Sequence, residues 1–391
     1  MSEPQCIVIS NRPPRYSEAW MTRMTLMLPA GSQCIYFYGR ARGPEKCTSV
    51  LISDFRSRIP DRFASLIMQR SVLSRMMSCL ESICDPMAEA GPRLLIHYLT
   101  NAVLLAPILE KISLPVYVHC HGHDITWDRK VEGFKFLRAH SRGYLRSALA
   151  LRERVTLIAN SEATRKKLLD AGFSDLRIVV KHLGAEVPNK PFPLANDGSP
   201  LNVLYLGRLV DCKGPRETIL AFDRACQHGF RGELTLAGGG ALLKKCQKLA
   251  SASCYRDRIK LLGAVPPVEA QRLLRSCDIL TAHNQISRET GQEEAYGVSV
   301  VEAMAYGRPV LTGRSGGVCE TVVSGETGIL FEPGDITQHS ESLLLLDHNR
   351  ALLRAYGDAA YVRAKSYFSL SAEQTKLHSL LLLHHKTAGL E

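Results

Sequence analysis

The sequence predicts a two-domain α/β protein, each domain a mainly parallel sheet covered by helices, and three observations carry that expectation. Short apolar runs alternate with helix-length segments through the first half. A stretch rich in proline and turn residues, 183–200 (LGAEVPNKPFPLANDGSP), interrupts the pattern near the middle. The alternation then starts afresh. At 391 residues the chain also exceeds what one ordinary core supports.

In the first half, strands are expected at Cys6–Ser10, Gln33–Tyr38, Ser49–Ile52, Leu94–Tyr98, Val116–Cys120, Val155–Ala159 and Ile178–Lys181. Most are separated by ten or more residues of helical or loop character, as parallel crossovers require. The proline-rich stretch reads as a linker. Beyond it, strands fit Asn202–Leu206, Glu233–Ala237, Ile259–Leu262, Asp278–Thr281, Val310–Thr312 and Gly328–Phe331. Helices fit Pro215–His228, Leu242–Ala252 and Pro267–Ser276, then one holding Glu302. From Asp335 two or three helices follow, the last near Ala372–His385. The expected boundaries are a first domain over 1–187, a linker over 188–200 and a second domain over 201–370. A C-terminal helix, 371–391, is expected to pack back toward the first domain. Two α/β domains facing across a cleft form a common ligand site.

Composition narrows the class. Hydrophobic residues make up 45% and charged residues 22%, as in a soluble globular chain. No apolar run is long enough to span a membrane, and residues 1–10 lack the basic start of a signal peptide. Twelve cysteines without a C-x-x-C pair suit a reducing cytoplasm. The net charge of +11 is lopsided: residues 1–190 carry 27 Lys and Arg against 17 Asp and Glu, whereas 191–391 carry 22 against 21. A basic half suits an anionic partner or simply a solvated arginine-rich surface.

Residues 293–312, EEAYGVSVVEAMAYGRPVLT, concentrate the candidate chemistry. Gly297 hinges a loop into a helix whose first N–H groups and positive dipole end suit a phosphate. Glu294 and Glu302 flank that end and suit sugar hydroxyls. The competing explanations are a loop acid at Glu294 and a capping box for Ser299-x-x-Glu302. The second domain opens with GRLVDCKG (207–214), where Arg208 and Lys213 follow a strand and offer two charges to a diphosphate, unless they are merely solvated bases. Gly238-Gly239-Gly240 is either a close approach to a ligand or a tight connection.

Together these residues resemble the retaining GT-B glycosyltransferases of family 4 (group 1). The resemblance rests on EAYGVSVVEAMAYGRPV with GRLVDCKG before it and GGVCETVVSGETGILF (316–331) after it, covering 201–333. It extends upstream to IANSEATRKKLLDAGF (158–173), IVVKHLG (178–184) and VHCHGHDI (118–125). The fold so implied is GT-B: two Rossmann-like α/β/α domains facing a central cleft. The resemblance further implies transfer of a hexose-type sugar, with retention, from a UDP- or GDP-linked donor to an acceptor hydroxyl. Arg208 and Lys213 match the diphosphate clamp, and Glu294 the acid on the donor sugar. Val298 and Ser299 match the positions whose amides meet the distal phosphate, with Gly297 beside them among the donor-binding residues, and Glu302 the ribose acid. His121 matches the first-domain histidine beside the reacting sugar. No cofactor or metal is implied, although His97, His119, His121 and His123, with Asp124, by themselves leave zinc open.

The chain departs from the family after its first strand, where NRPPRYSEAW (11–20) replaces a glycine-rich loop. Two prolines stiffen it and remove amide donors, leaving Arg12 or Arg15 as substitutes. The expected partners are the nucleotide sugar and a sugar or lipid-linked sugar acceptor, in assembly of a bacterial surface polysaccharide or glycolipid. Basic amphipathic segments at 54–77 and 135–154 suit an anionic membrane surface. The expected location is cytoplasmic, with peripheral contact to the inner face of the membrane. A nucleotide-sugar epimerase of the same fold is the nearest alternative. Nucleic-acid binding is a further one, without an RRM, KH or helix-turn-helix signature, and no nucleic acid is expected as partner.

Overall fold

A computed structural model describes residues 5–14, 18–38, 48–53, 73–89, 91–122, 124–125, 144–195, 198–288 and 290–381. The first sheet holds β1 (Cys6–Ser10), β2 (Gln33–Tyr38), β3 (Thr48–Ser53), β4 (Arg93–His97), β5 (Val116–Cys120), β6 (Thr156–Ala159) and β7 (Ile178–Val180). All pair in parallel, in the order β3-β2-β1-β4-β5-β6-β7. Its helices are α1 (Ala19–Leu26), α2 (73–83), α3 (Leu99–Leu109), α4 (Tyr144–Ala150) and α5 (Glu162–Asp170). Helices on both faces bury both sides of the strands, so β1 is apolar throughout instead of alternating. Its side chains still diverge with period two. Ile7 and Ile9 join Ile35, Leu94 and Val118 on one face, while Cys6 and Val8 join Cys34 and Leu95 on the other.

The second sheet is β8 (Asn202–Leu206), β9 (Glu233–Ala237), β10 (Ile259–Gly263), β11 (Ile279–Ala282), β12 (Val310–Gly313) and β13 (Gly328–Phe331). These too are parallel, in the order β10-β9-β8-β11-β12-β13. Helices α6 (Pro215–Gln227), α7 (Leu243–Ala252), α8 (Pro267–Ser276), α9 (Val298–Ala305), α10 (Val318–Thr321) and α11 (Ile336–His348) cover it, followed by α12 (Arg350–Tyr367) and α13 (Leu370–Leu380). Strand order reverses between β1 and β4 in one sheet and between β8 and β11 in the other. Such switch points open a crevice at the strands' carboxyl ends.

The proline-rich stretch is stapled to the second domain. Fully buried Arg308 donates to Leu274 O, Pro193 O and Arg275 O, and Asp278 accepts from Ala195 N and Asn202 N. α13 begins at Leu370, two residues before the expected start, because Ser369 caps it by accepting from Ala372 N at 3.3 Å. The expected end at His385 lies outside the described residues. α13 packs on the first domain: Leu377 and Leu381 are fully buried with Met24, Met27 and Leu28, each leucine contributing about 2 kcal/mol. His378 and Gln374 bond Met27 O, and Arg93 Nε donates to Leu381 O. At its root Glu373 pairs with buried Lys181 and accepts from Gly184 N at 2.6 Å.

Among the described residues no helix is long and apolar enough to cross a membrane. Of the two basic segments, residues 54–72 and 135–143 lie outside the described residues. Arg154 is not a solvated base: it is half-buried and donates to Leu109 O, Ile112 O and Leu114 O, closing the carboxyl end of α3.

Removing one member of the Lys181–Glu373 pair strands a buried charge. Lys181→Met should cost about 3–5 kcal/mol in urea unfolding. The double change Lys181→Met with Glu373→Leu should recover most of that loss.

Candidate functional site

The site begins where β8 ends. Tyr205, buried in the sheet, donates its hydroxyl to Arg208 O at 2.8 Å and fixes the turn after Gly207. A single 3-10 turn, Asp211–Lys213, leads to Gly214 at φ +53°, where a Cβ would lie 2.1 Å from His283 O. Only glycine fits there. That turn folds the Lys213 side chain back over Gly207, and its Nζ meets Glu294 Oε2 at 2.5 Å. Arg208 is exposed at the same edge.

Glu294 also closes its own turn, accepting from Gly297 N at 3.1 Å and Tyr296 N at 3.5 Å. Burial alone would raise its carboxyl pKa, but Lys213 beside it, Arg208 and the turn amide outweigh this and hold it below the ordinary 4.5. Gly297, at φ +86°, caps α9, so Val298 and Ser299 are its first two residues. Their N–H groups make no hydrogen bond among the described residues, as a helix start requires. The capping box is therefore not formed: Ser299 lies inside the helix, and no side chain caps it. Lys213, Glu294, Gly297 and Ser299 line one pocket with Tyr205, Asn284 and Thr312.

Glu302, freed from capping, reaches the other domain. Its Oε1 pairs with Arg23 Nη1 of α1 at 2.8 Å. Arg23 Nε and Nη2 are buried without a partner. Three further contacts bridge the cleft nearby. Ser161 Oγ donates to Ala295 O at 2.6 Å, Lys167 pairs with Glu293 at 2.5 Å, and Glu320 accepts from Glu162 N and Ala163 N at the start of α5.

His121 enters through Gly122. At φ +95°, Gly122 faces Ala295 so closely that a Cβ would lie 2.4 Å from the alanine's own. The residue after His121 thus abuts the residue after Glu294. Asp124, fully buried, accepts from His121 N at 3.0 Å and Leu99 N at 2.9 Å, tying the ends of β4 and β5 together. Between them Tyr98 adopts φ +70°, the one non-glycine residue at positive φ among those described. Such strain, of order 1–3 kcal/mol, concentrates at functional sites. It sets the Tyr98 ring 4.7 Å from that of His121 and its hydroxyl 3.2 Å from Glu18.

Arg12 is bound to Glu18 by two bonds, 2.8 and 3.1 Å, so its charge is already met within the loop. Arg15 and His123 lie outside the described residues. Gly238 and Gly240 are a tight connection: added Cβ atoms would strike Gly207 O and Leu209 O, the chain's own backbone. Two candidates had no sequence signal. Arg23 is placed by tertiary structure alone, and Asn284 lines the pocket with a buried Oδ1 that has no partner.

Residues 186–363 match the family model of glycosyl transferases group 1. Among curated relatives, the amylovoran biosynthesis glycosyltransferase AmsK of Erwinia amylovora is 26% identical over 294 residues, 73% of this chain and 69% of that protein. A D-inositol 3-phosphate glycosyltransferase of Corynebacterium efficiens is 32% identical over 195 residues, 47% of this chain and 43% of that one. Past AmsK, the next relatives are matched over less than half of their length. Among solved structures, Anabaena HepE in complex with UDP and glucose superposes with a TM-score of 0.73 at 17% identity, covering 97% of this chain and all of that one. The fold is that of GT-B glycosyltransferases.

A depressed carboxyl pKa stabilises the fold above the ordinary value and loses that effect as pH falls through the folded one. Lys213→Ala removes the strongest pull on Glu294 and leaves burial to raise its pKa. Denaturant melts should show the variant less stable than the wild type at pH 7, with the gap narrowing toward pH 4.

Proposed function

We propose that the protein is a retaining glycosyltransferase of family 4, moving a hexose-type sugar from a UDP- or GDP-linked donor to an acceptor hydroxyl. The observation that carries this is the Lys213–Glu294 pair, set beside the amide-bearing start of α9 and abutted by the His121–Gly122 turn. The group 1 match supports a glycosyl donor, and HepE, at this fold, was solved with UDP and glucose.

In the absence of donor, Lys213 and Glu294 neutralise each other. An arriving diphosphate competes for the ammonium, with Arg208 at the open edge and the N–H groups of Val298 and Ser299 as further donors. Glu294, released, accepts from the sugar's hydroxyls while the turn amides keep it oriented. The ribose hydroxyls share Glu302 with Arg23. His121 stands on the first-domain side to hold the sugar and stabilise developing charge. In transfer with retention, the bond from the anomeric carbon to the leaving phosphate oxygen breaks. The acceptor oxygen bonds to the same face, and its proton passes to the departing diphosphate. The protein's share is positioning and electrostatic stabilisation, with no strong general base and no metal required.

The acceptor side is assigned to surface-polysaccharide or glycolipid assembly at the cytoplasmic face of a membrane. AmsK, named for amylovoran biosynthesis, supports the first of these, and the basic first half suits an anionic surface.

A thermal-shift screen of UDP, GDP and ADP with their sugars should single out one nucleotide, which at 100 times its Kd stabilises by about 2.7 kcal/mol. With that donor, Lys213→Ala and Glu294→Ala should each lower transfer by about 100-fold or more while far-UV circular dichroism stays unchanged. Near-normal turnover in either would overturn the assignment, and sugar conversion without acceptor would point to an epimerase.

A further inference from the structure

Three histidines meet behind the cleft wall of the first domain. His97 ends β4, His119 lies directly across from it on β5, and His121 follows β5. His97 and His119 are fully buried and His121 is half-buried. One ring nitrogen from each falls within 4.8 Å of the others. His97 Nδ1 and His121 Nε2 are 3.4 Å apart. Two ligands at about 2.05 Å on a tetrahedral ion sit about 3.3 Å apart, so this edge already has the required length.

The polar accounting points the same way. His119 has neither ring nitrogen bonded, and His97 Nε2 is also without a partner. Buried polar atoms are almost always satisfied, and each orphan costs about 1–3 kcal/mol. The same chain satisfies its other buried histidine pair completely. His283 Nε2 accepts from Gly334 N, His283 Nδ1 bonds His339 Nδ1, and His339 Nε2 bonds Thr281 Oγ1. The first-domain cluster is left open where the second-domain cluster is closed.

The frame is rigid. Asp124 clamps the backbone at Leu99 and His121, Asn101 Nδ2 donates to His97 O at 2.7 Å, and the Trp20 ring covers His121 at 4.2 Å. We propose that His97, His119 and His121 form a binding site for a divalent first-row transition ion, of which zinc fits the imidazole set. The ion is structural: it gives one orphaned ring nitrogen of His119 a partner and fixes the loop that sets His121 beside the Glu294 turn. The site shares His121 with the proposed transfer, which itself needs no metal chemistry.

The test uses full-length protein stripped with a chelator, then loaded with zinc or with cobalt as a visible probe. One ion per chain should survive gel filtration by elemental analysis, and the cobalt form should show the intense visible bands of a tetrahedral site. His119→Gln and His121→Gln should each weaken binding tenfold or more, whereas the exposed His348→Gln should not. Circular dichroism checks folding, and half-buried His121 carries the comparison if the buried variant does not fold. No retained ion, or equal retention by the cluster variants, overturns the site. Neither readout depends on transfer activity, so failure here leaves the glycosyltransferase assignment standing, and the reverse holds too.

Discussion

The turn from Glu294 to Gly297 is held from every side, and the arrangement of both domains around the cleft depends on it. Lys213 neutralises its carboxylate, Gly317 N bonds Glu294 O at 2.9 Å, and Ser161 bonds Ala295 O from across the cleft. Tyr296 donates its hydroxyl to Leu183 O at 2.8 Å, tying the turn to the start of the linker as well. A buried carboxylate is tolerable only with its charge and lone pairs met. Here the groups that meet them are also suited to a phosphate or a sugar. The stability of this turn and its fitness for an anion therefore come from the same atoms.

Most of the framework was legible because its signals are local. Parallel strands buried on both faces leave dense apolar runs, and β1, β2, β5, β8, β9 and β13 fall where those runs lie. The turn chemistry of Gly207 to Gly214 and the hinge at Gly297 were legible for the same reason. What local pattern misjudged was Ser299: Ser-x-x-Glu has the spacing of a capping box, but Gly297 at positive φ starts the helix two residues earlier. Glu302 was then free for Arg23, a partner 279 positions away that no sequence pattern marks. Arg12 illustrates the converse. Its charge was visible in the sequence, but its pairing with Glu18 depended on how the loop folds back.

The two histidine clusters show how backbone context changes one residue type. In the second domain a glycine amide and a threonine hydroxyl terminate the chain of ring nitrogens, so the cluster is complete as it stands. In the first, aromatic rings pack around His119 without bonding its nitrogens: Trp20 lies edge-on to His97 and His119. The sequence showed an alternating His-x-His-x-His. Among the described residues the fold adds His97 from the neighbouring strand, because parallel register sets it opposite His119.

The crossing at Ala185 and Ser369 carries a mechanical consequence. There the linker and the start of α13 pair side by side, Ala185 N to Phe368 O and Leu370 N to Ala185 O. The backbone passes between domains twice at one place, like two knuckles on a single pin. One crossing would leave the domains free to twist as well as swing. Two adjacent ones, locked by the buried Lys181–Glu373 pair, join the domains along one common line. Gly184 lies against Ser369 O too closely for any larger residue, keeping the two passes in contact. Whatever enters the cleft meets two walls joined along that line.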